Sequence, residues 1–263
     1  MRNILLKHLL RLKSHNSSAS CLNRFYSTQI AVQTETSPTL TADVLLTDSY
    51  QKRVLECMTK SPPVGVKLKN NEVERKYAAV LILLCTKKAN DEQNEEVSLL
   101  YTRRSGHLNR HVRQICFPGG IRDDTDVDFV DCALRETMEE IGLDRSRIQI
   151  WGPTSLITPP HTAAIMPVVG VCRNFDLNEL KLNEHEVEEA FTVPVSELAK
   201  PSTLQYTQFK SGFSSPTFVI GRKKIWGVTG FITNSFMNCL LPRELNQLKG
   251  RVKFIRPYKP ASN

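Results

Sequence analysis

Apolar residues fall in short runs divided by polar stretches, and the period within each run indicates the element it builds. Residues 78–85 are almost continuously apolar, the pattern of a strand buried on both faces. Residues 97–101 read as a second strand, with the polar stretch 87–96 as a hairpin loop between the two. Further strands are expected over 115–117, 148–157, 166–172, 190–193 and 218–226. Helical spacing runs over 44–58, stopped by Pro62 and Pro63, and again over 231–241. The strongest helical signal covers 129–141, where Val130, Ala133, Leu134, Thr137, Met138 and Ile141 recur on one side and face a core. Glu136, Glu139 and Glu140 share the opposite side, and Gly142 suits the left-handed position past the helix end. Thr125 and Asp128 ahead of it have the spacing of a capping box with Asp in place of Glu. Strands mixed with a few helices, without a repeat, argue for an α+β or α/β sandwich whose strand order is left open.

Composition changes this picture mainly at the start of the chain. The 263 residues carry a net charge of +8, yet Arg2, Lys7, Arg11, Lys13 and Arg24 all precede the first acid, Glu35. Together with interleaved leucines and serines this is transit-peptide composition, and Arg24-Phe25-Tyr26-Ser27 resembles an arginine-led cleavage site of proteins imported into the mitochondrial matrix. Removing those five cations takes +8 to +3, so the basic balance does not call for a stable nucleic-acid partner. No run is apolar for the roughly 20 residues that a membrane span needs. The expected organisation is a transit peptide over 1–27, a Thr- and Ser-rich linker over 28–43, one domain with N- and C-terminal extensions over 44–250 and a tail over 251–263. The seven cysteines form no Cys-x-x-Cys pair and no zinc-ligand spacing, so neither a disulfide framework nor a zinc site is expected, which fits a reducing compartment.

The chemistry lies in the helix over 129–141. Like charges at i, i+3 and i+4 repel by a few tenths of a kcal/mol per pair. A hard divalent cation reverses that sign, since it takes oxygen ligands. Phe117-Pro118-Gly119-Gly120 ends a strand before the helix, and its glycines permit positive φ and close backbone approach to a ligand.

Residues 120–143 resemble the Nudix box, and Arg135-Glu136-Thr137-Met138-Glu139-Glu140-Ile141-Gly142-Leu143 matches its second half in full. The resemblance implies an α/β/α sandwich with a mixed central sheet. It also implies Glu136, Glu139 and Glu140 as ligands for Mg2+ or Mn2+, Glu136 or Glu139 as general base, and Arg135 to orient them. The first half departs from the pattern. Gly120 and Arg135 stand one residue further apart than the box has them, and Asp126 or Asp128 replaces its loop glutamate.

Upstream, Thr102, Arg104, Ser105, Leu108, His111, Gln114 and Phe117 to Gly120 resemble the additional signature of the coenzyme A diphosphatase subgroup, although Asn109 and Arg113 stand where a basic residue and a glycine belong. This resemblance implies hydrolysis of the diphosphate of coenzyme A or acyl-CoA, with Arg104, Ser105, His111, Gln114, Gly119 and Gly120 as substrate-binding positions. The alternatives are another nucleoside diphosphate derivative, such as a nucleotide sugar, dinucleotide or capped RNA, or an inactive binding module of the same fold. A second acidic cluster, Glu184, Glu186, Glu188 and Glu189, offers one more functional carboxylate without indicating which.

Overall fold

The computed structural model describes residues 40–60, 75–88, 95–108, 111–159, 162–208 and 214–242. The expected transit peptide, tail and helix-stopping prolines lie outside these residues. The long apolar run becomes β1 (Tyr77–Lys88), antiparallel to β2 (Glu95–Arg104). The strands reach further than their apolar residues, because Lys87 pairs with Glu96 and Lys88 with Glu95, so the expected loop is shorter than 87–96. β2 also pairs with β3 (Ile115–Cys116), and β1 pairs with β4 (Gly119–Ile121), a strand that the glycine pair hides from a propensity reading.

The remaining strands of this sheet are β5 (Gln149–Pro153), β6 (Ala164–Cys172) and β7 (Val187–Pro194). The order β3-β2-β1-β6-β5 has β7 added on β2, and all pairings are antiparallel except β1 with β6, which gives the expected mixed sheet. Alternation along β1 sends Leu81, Leu83 and Cys85 to one face and Ile82 and Leu84 to the other. The first face packs against α3 (Phe129–Ile141). The second packs against α2 (Asp48–Lys60) and α5 (Gly227–Leu240), with Val54, Met58, Phe236 and Leu240 buried there. Helices on both faces of the sheet make the sandwich.

Several expectations need correction. The helix over 44–58 is two, α1 (Ala42–Leu45) and α2, broken at Thr47, whose hydroxyl accepts from the Tyr50 N–H at 3.4 Å. Ala42, placed in the linker, is buried in the core. The span 218–226 is two strands, β9 (Ser214–Ile220) and β10 (Lys223–Ile225), turned at Gly221 with φ +57°. They form a second sheet with β8 (Leu204–Gln208), which follows the short α4 (Val195–Leu198). Against the cysteine reading, Cys57 of α2 and Cys239 of α5 form a disulfide across 182 residues of sequence. No described helix is long and apolar enough to cross a membrane.

Candidate active site

α3 begins at Asp128, whose side chain accepts from the Asp131 N–H at 2.8 Å, while Asp131 accepts from the Val127 N–H at 3.3 Å. These reciprocal caps replace the box expected from Thr125, which bonds to Asp123 instead. Gly142 takes φ +68° at the other end, as its position required.

The helix is rotated relative to the simple two-sided reading. Met138, assigned to the core side, is 50 % exposed, whereas Glu140, assigned to the far side, is 2 % exposed. The cause is the Phe-Pro-Gly-Gly segment. Gly119 has φ +143°, and a Cβ there would sit 2.2 Å from the Ala79 carbonyl oxygen, so only glycine lets β4 lie on β1. The Gly119 N–H then donates to Glu140 Oε2 at 3.2 Å. A Cβ on Gly120 would come within 2.5 Å of the Glu136 carboxyl. The two glycines therefore admit glutamates of α3 close against the strand backbone.

Arg135 organises the outer side. Its Nε and Nη2 hold Asp126 in a two-pronged pair at 2.8 and 2.9 Å. Nη1 reaches Glu136 at 3.2 Å and Glu139 at 3.0 Å. Of the two loop acids that stand in for the box glutamate, Asp126 makes this pair and Asp128 caps the helix. Hydrogen bonds from Arg135 hold the buried Asp126 carboxyl well below the usual carboxylate range, against the opposing effect of burial.

Glu136 and Glu140 shift the other way. Burial pushes Glu140 up to about 8, opposed by the Gly119 N–H and Arg104 and reinforced by Glu136 and Glu186. Burial also raises Glu136, opposed by Arg135 and reinforced by Glu139 and Glu186. Sequence could not choose among the acids of 184–189. The structure brings Glu186 into the field of both site glutamates, while Glu188 pairs with Arg113 at 3.3 Å and Glu189 with Arg103 at 3.3 Å. The selection comes from an irregularity in the β2–β7 ladder, where Arg103 faces Glu189 but Arg104 faces Val187.

The upstream positions divide. Arg104 stands beside Glu140 and Cys116, and its buried Nε has no hydrogen-bond partner among the described residues. Ser105 is buried. Its hydroxyl donates to the Glu184 carbonyl at 2.9 Å and its N–H to the Glu186 carbonyl at 2.8 Å, which fixes the acidic loop. His111 Nδ1 and Gln114 Oε1 are 3.0 Å apart and brace each other. Arg113, at the signature's glycine position, keeps the left-handed backbone with φ +55°.

Among the described residues no three His, Cys, Asp or Glu side chains stand ready to enclose an ion, because Arg135 holds Glu136 and Glu139 while Gly119 holds Glu140. The donor chemistry nevertheless fits a hard cation. Glu136 and Glu140 supply only oxygens, and burial with mutual repulsion makes their charged forms costly until positive charge arrives.

The model of the NUDIX domain matches residues 76–211. The chain is 36% identical over 170 residues to the human mitochondrial coenzyme A diphosphatase NUDT8, an alignment covering 63% of this chain and 70% of that protein. The mouse protein of the same name is 35% identical over 170 residues, covering 63% of this chain and 78% of the relative. Nudix hydrolase 3 of Caenorhabditis elegans is 32% identical over 182 residues, covering 62% and 73%. With the sandwich and the complete Arg-Glu-x-x-Glu-Glu-x-Gly helix in place, the chain belongs to the Nudix family and is a pyrophosphohydrolase.

Proposed function

We propose that the protein hydrolyses the diphosphate of coenzyme A or acyl-CoA to 3′,5′-ADP and 4′-phosphopantetheine or its acyl form, in the mitochondrial matrix. The observation that carries the reading is the likeness to proteins named mitochondrial coenzyme A diphosphatase, together with the signature at 102–120. Glu136, Glu139 and Glu140 are the residues that would hold Mg2+ or Mn2+. When bound, the cation supplies positive charge against the diphosphate oxygens. Glu136 or Glu139 takes the proton from the attacking water, and Arg135, fixed by Asp126, keeps both carboxylates aimed. Arg104, beside Glu140, is the guanidinium that would meet a substrate phosphate. Ser105, His111 and Gln114 act through the loops they brace.

A panel of coenzyme A, acyl-CoA, nucleotide sugars, dinucleotides and capped RNA with magnesium, read by product mass, tests this. Rapid cleavage of another diphosphate with coenzyme A untouched would reject the substrate and keep the family. Arg104→Ala is expected to lower kcat/KM by roughly ten- to more than a hundredfold, the loss of a charge-assisted hydrogen bond of about 1.5–3 kcal/mol. Lysine restores only part, because a fork becomes a point charge. For targeting, residues 1–40 fused to a reporter should carry it to mitochondria, and a reporter that stays in the cytosol refutes the transit peptide.

A further inference from the structure

On the side of β2 that Arg103 occupies, away from Glu140, a cavity of about 340 Å³ opens between residues 112–115 and the β9–β10 hairpin. Arg103, Arg113, Arg222, Lys224, Gln114 and Trp226 line it. The hairpin residues Arg222, Lys224 and Trp226 lie beyond residue 211, where the match to the family's domain ends.

Its charge is unbalanced. Arg103, Arg113, Arg222 and Lys224 gather there, and among the described residues the ion pairs that reach them come from two carboxylates, Glu188 and Glu189, the second of which Lys223 also holds. Among the described residues Arg222 and Lys224 have no carboxylate within ion-pair distance, and Lys224 Nζ lies 5.6 Å from the Trp226 ring centroid. The buried Arg103 Nε is ion-paired with Glu189 at 3.3 Å and makes no hydrogen bond among the described residues. Unmatched cations ask for an anion rich in oxygens. A half-buried indole at their side offers a face to a flat ring.

We propose that this cavity binds the phosphorylated nucleoside end of a nucleotide, with a phosphomonoester on Arg113, Arg222 and Lys224 and the base against Trp226. That this end belongs to the hydrolysed molecule rests on the substrate reading above; the cavity's affinity for a nucleotide phosphomonoester does not. Arg103 and Arg104 are consecutive at the end of β2, one lining this cavity and the other beside Glu140, so a single extended molecule passing the end of that strand meets both.

The test uses the full chain with 3′,5′-ADP as probe, followed by calorimetry and by tryptophan fluorescence. The other of the two tryptophans, Trp151, is 7 % exposed in the core, so a ligand-dependent signal should vanish in Trp226→Phe. Arg222 and Lys224 are exposed, so the Arg222→Glu/Lys224→Glu double variant should unfold at the wild-type temperature. It is expected to bind the probe at least roughly tenfold more weakly, the loss of charge-assisted contacts. Wild-type binding should weaken with salt, and inorganic phosphate should compete far less well than the probe. Undiminished binding in the double variant, or phosphate competing as well as the nucleotide, overturns the proposal.

Kinetics with coenzyme A and dephospho-coenzyme A then separate two sources of the ligand. If the substrate's own end sits here, the double variant raises KM for coenzyme A roughly tenfold or more, with kcat and dephospho-coenzyme A kinetics unchanged. If a free nucleotide sits here, both substrates are unaffected and only inhibition by the probe is lost. If coenzyme A is not cleaved at all while the probe binds and the double variant loses it, the substrate reading fails and the cavity's assignment stands.

Discussion

Glu136→Gln and Glu140→Gln are each expected to lower kcat by roughly a thousandfold, equivalent to about 4 kcal/mol of transition-state stabilisation, while the protein stays folded. Glutamine is nearly isosteric with glutamate, which matters at both positions. Glu136 fills the space against Gly120 that a single Cβ would invade, and Glu140 is buried under Gly119. A neutral amide in those spaces also avoids burying a charge, so unfolding temperatures without divalent metal should not fall. The wild type should gain stability on adding Mg2+, because a ligand that binds only the folded chain shifts the unfolding equilibrium, and each variant should gain less. Thermal unfolding with and without Mg2+, beside initial rates, measures both effects. Full activity in both variants would remove these carboxylates from the site.

How far the sequence carried the reading depended on whether each feature was periodic or set by distant partners. Phe129–Ile141 was legible to the residue because thirteen positions of helical spacing end in a glycine that takes φ +68°. The continuous apolar run of β1 likewise announced a central strand, buried on both faces. Periodicity fixes a helix's apolar direction only to within about a residue, however, and the exchange of Met138 for Glu140 at the boundary was decided by β4 lying over that edge. β4 itself is invisible to propensity, since Gly-Gly reads as a turn until a partner strand is known. The Cys57–Cys239 disulfide joins helices from opposite ends of the domain, a proximity that no local spacing encodes. Glu186 stands apart from its acidic neighbours only through a ladder irregularity on β2.

Asp126 is the residue whose role most exceeds its sequence signal, and Asp126→Asn is expected to destabilise the protein by about 3 kcal/mol while also reducing turnover. Its side chain is 1 % exposed, and both oxygens only accept: Oδ1 from Arg135 Nε, and Oδ2 from Arg135 Nη2 and the Asp123 N–H at 2.8 Å. Either orientation of an asparagine turns its amide NH2 toward a donor, and the guanidinium loses its counter-charge. Arg135 then no longer holds Glu136 and Glu139 from a fixed base, so kcat should fall beyond what stability alone accounts for. The pH dependence provides a separate check. Arg135 keeps the folded-state carboxyl below its unfolded value, so the pair's contribution is present above the unfolded pKa of about 4 and is lost as the pH falls below it. Denaturant unfolding should therefore show the full gap between wild type and variant at pH 7, narrowing steadily under acid. A gap that is absent at pH 7, or constant down to pH 3, would mean that the Asp126–Arg135 pair does not anchor the site.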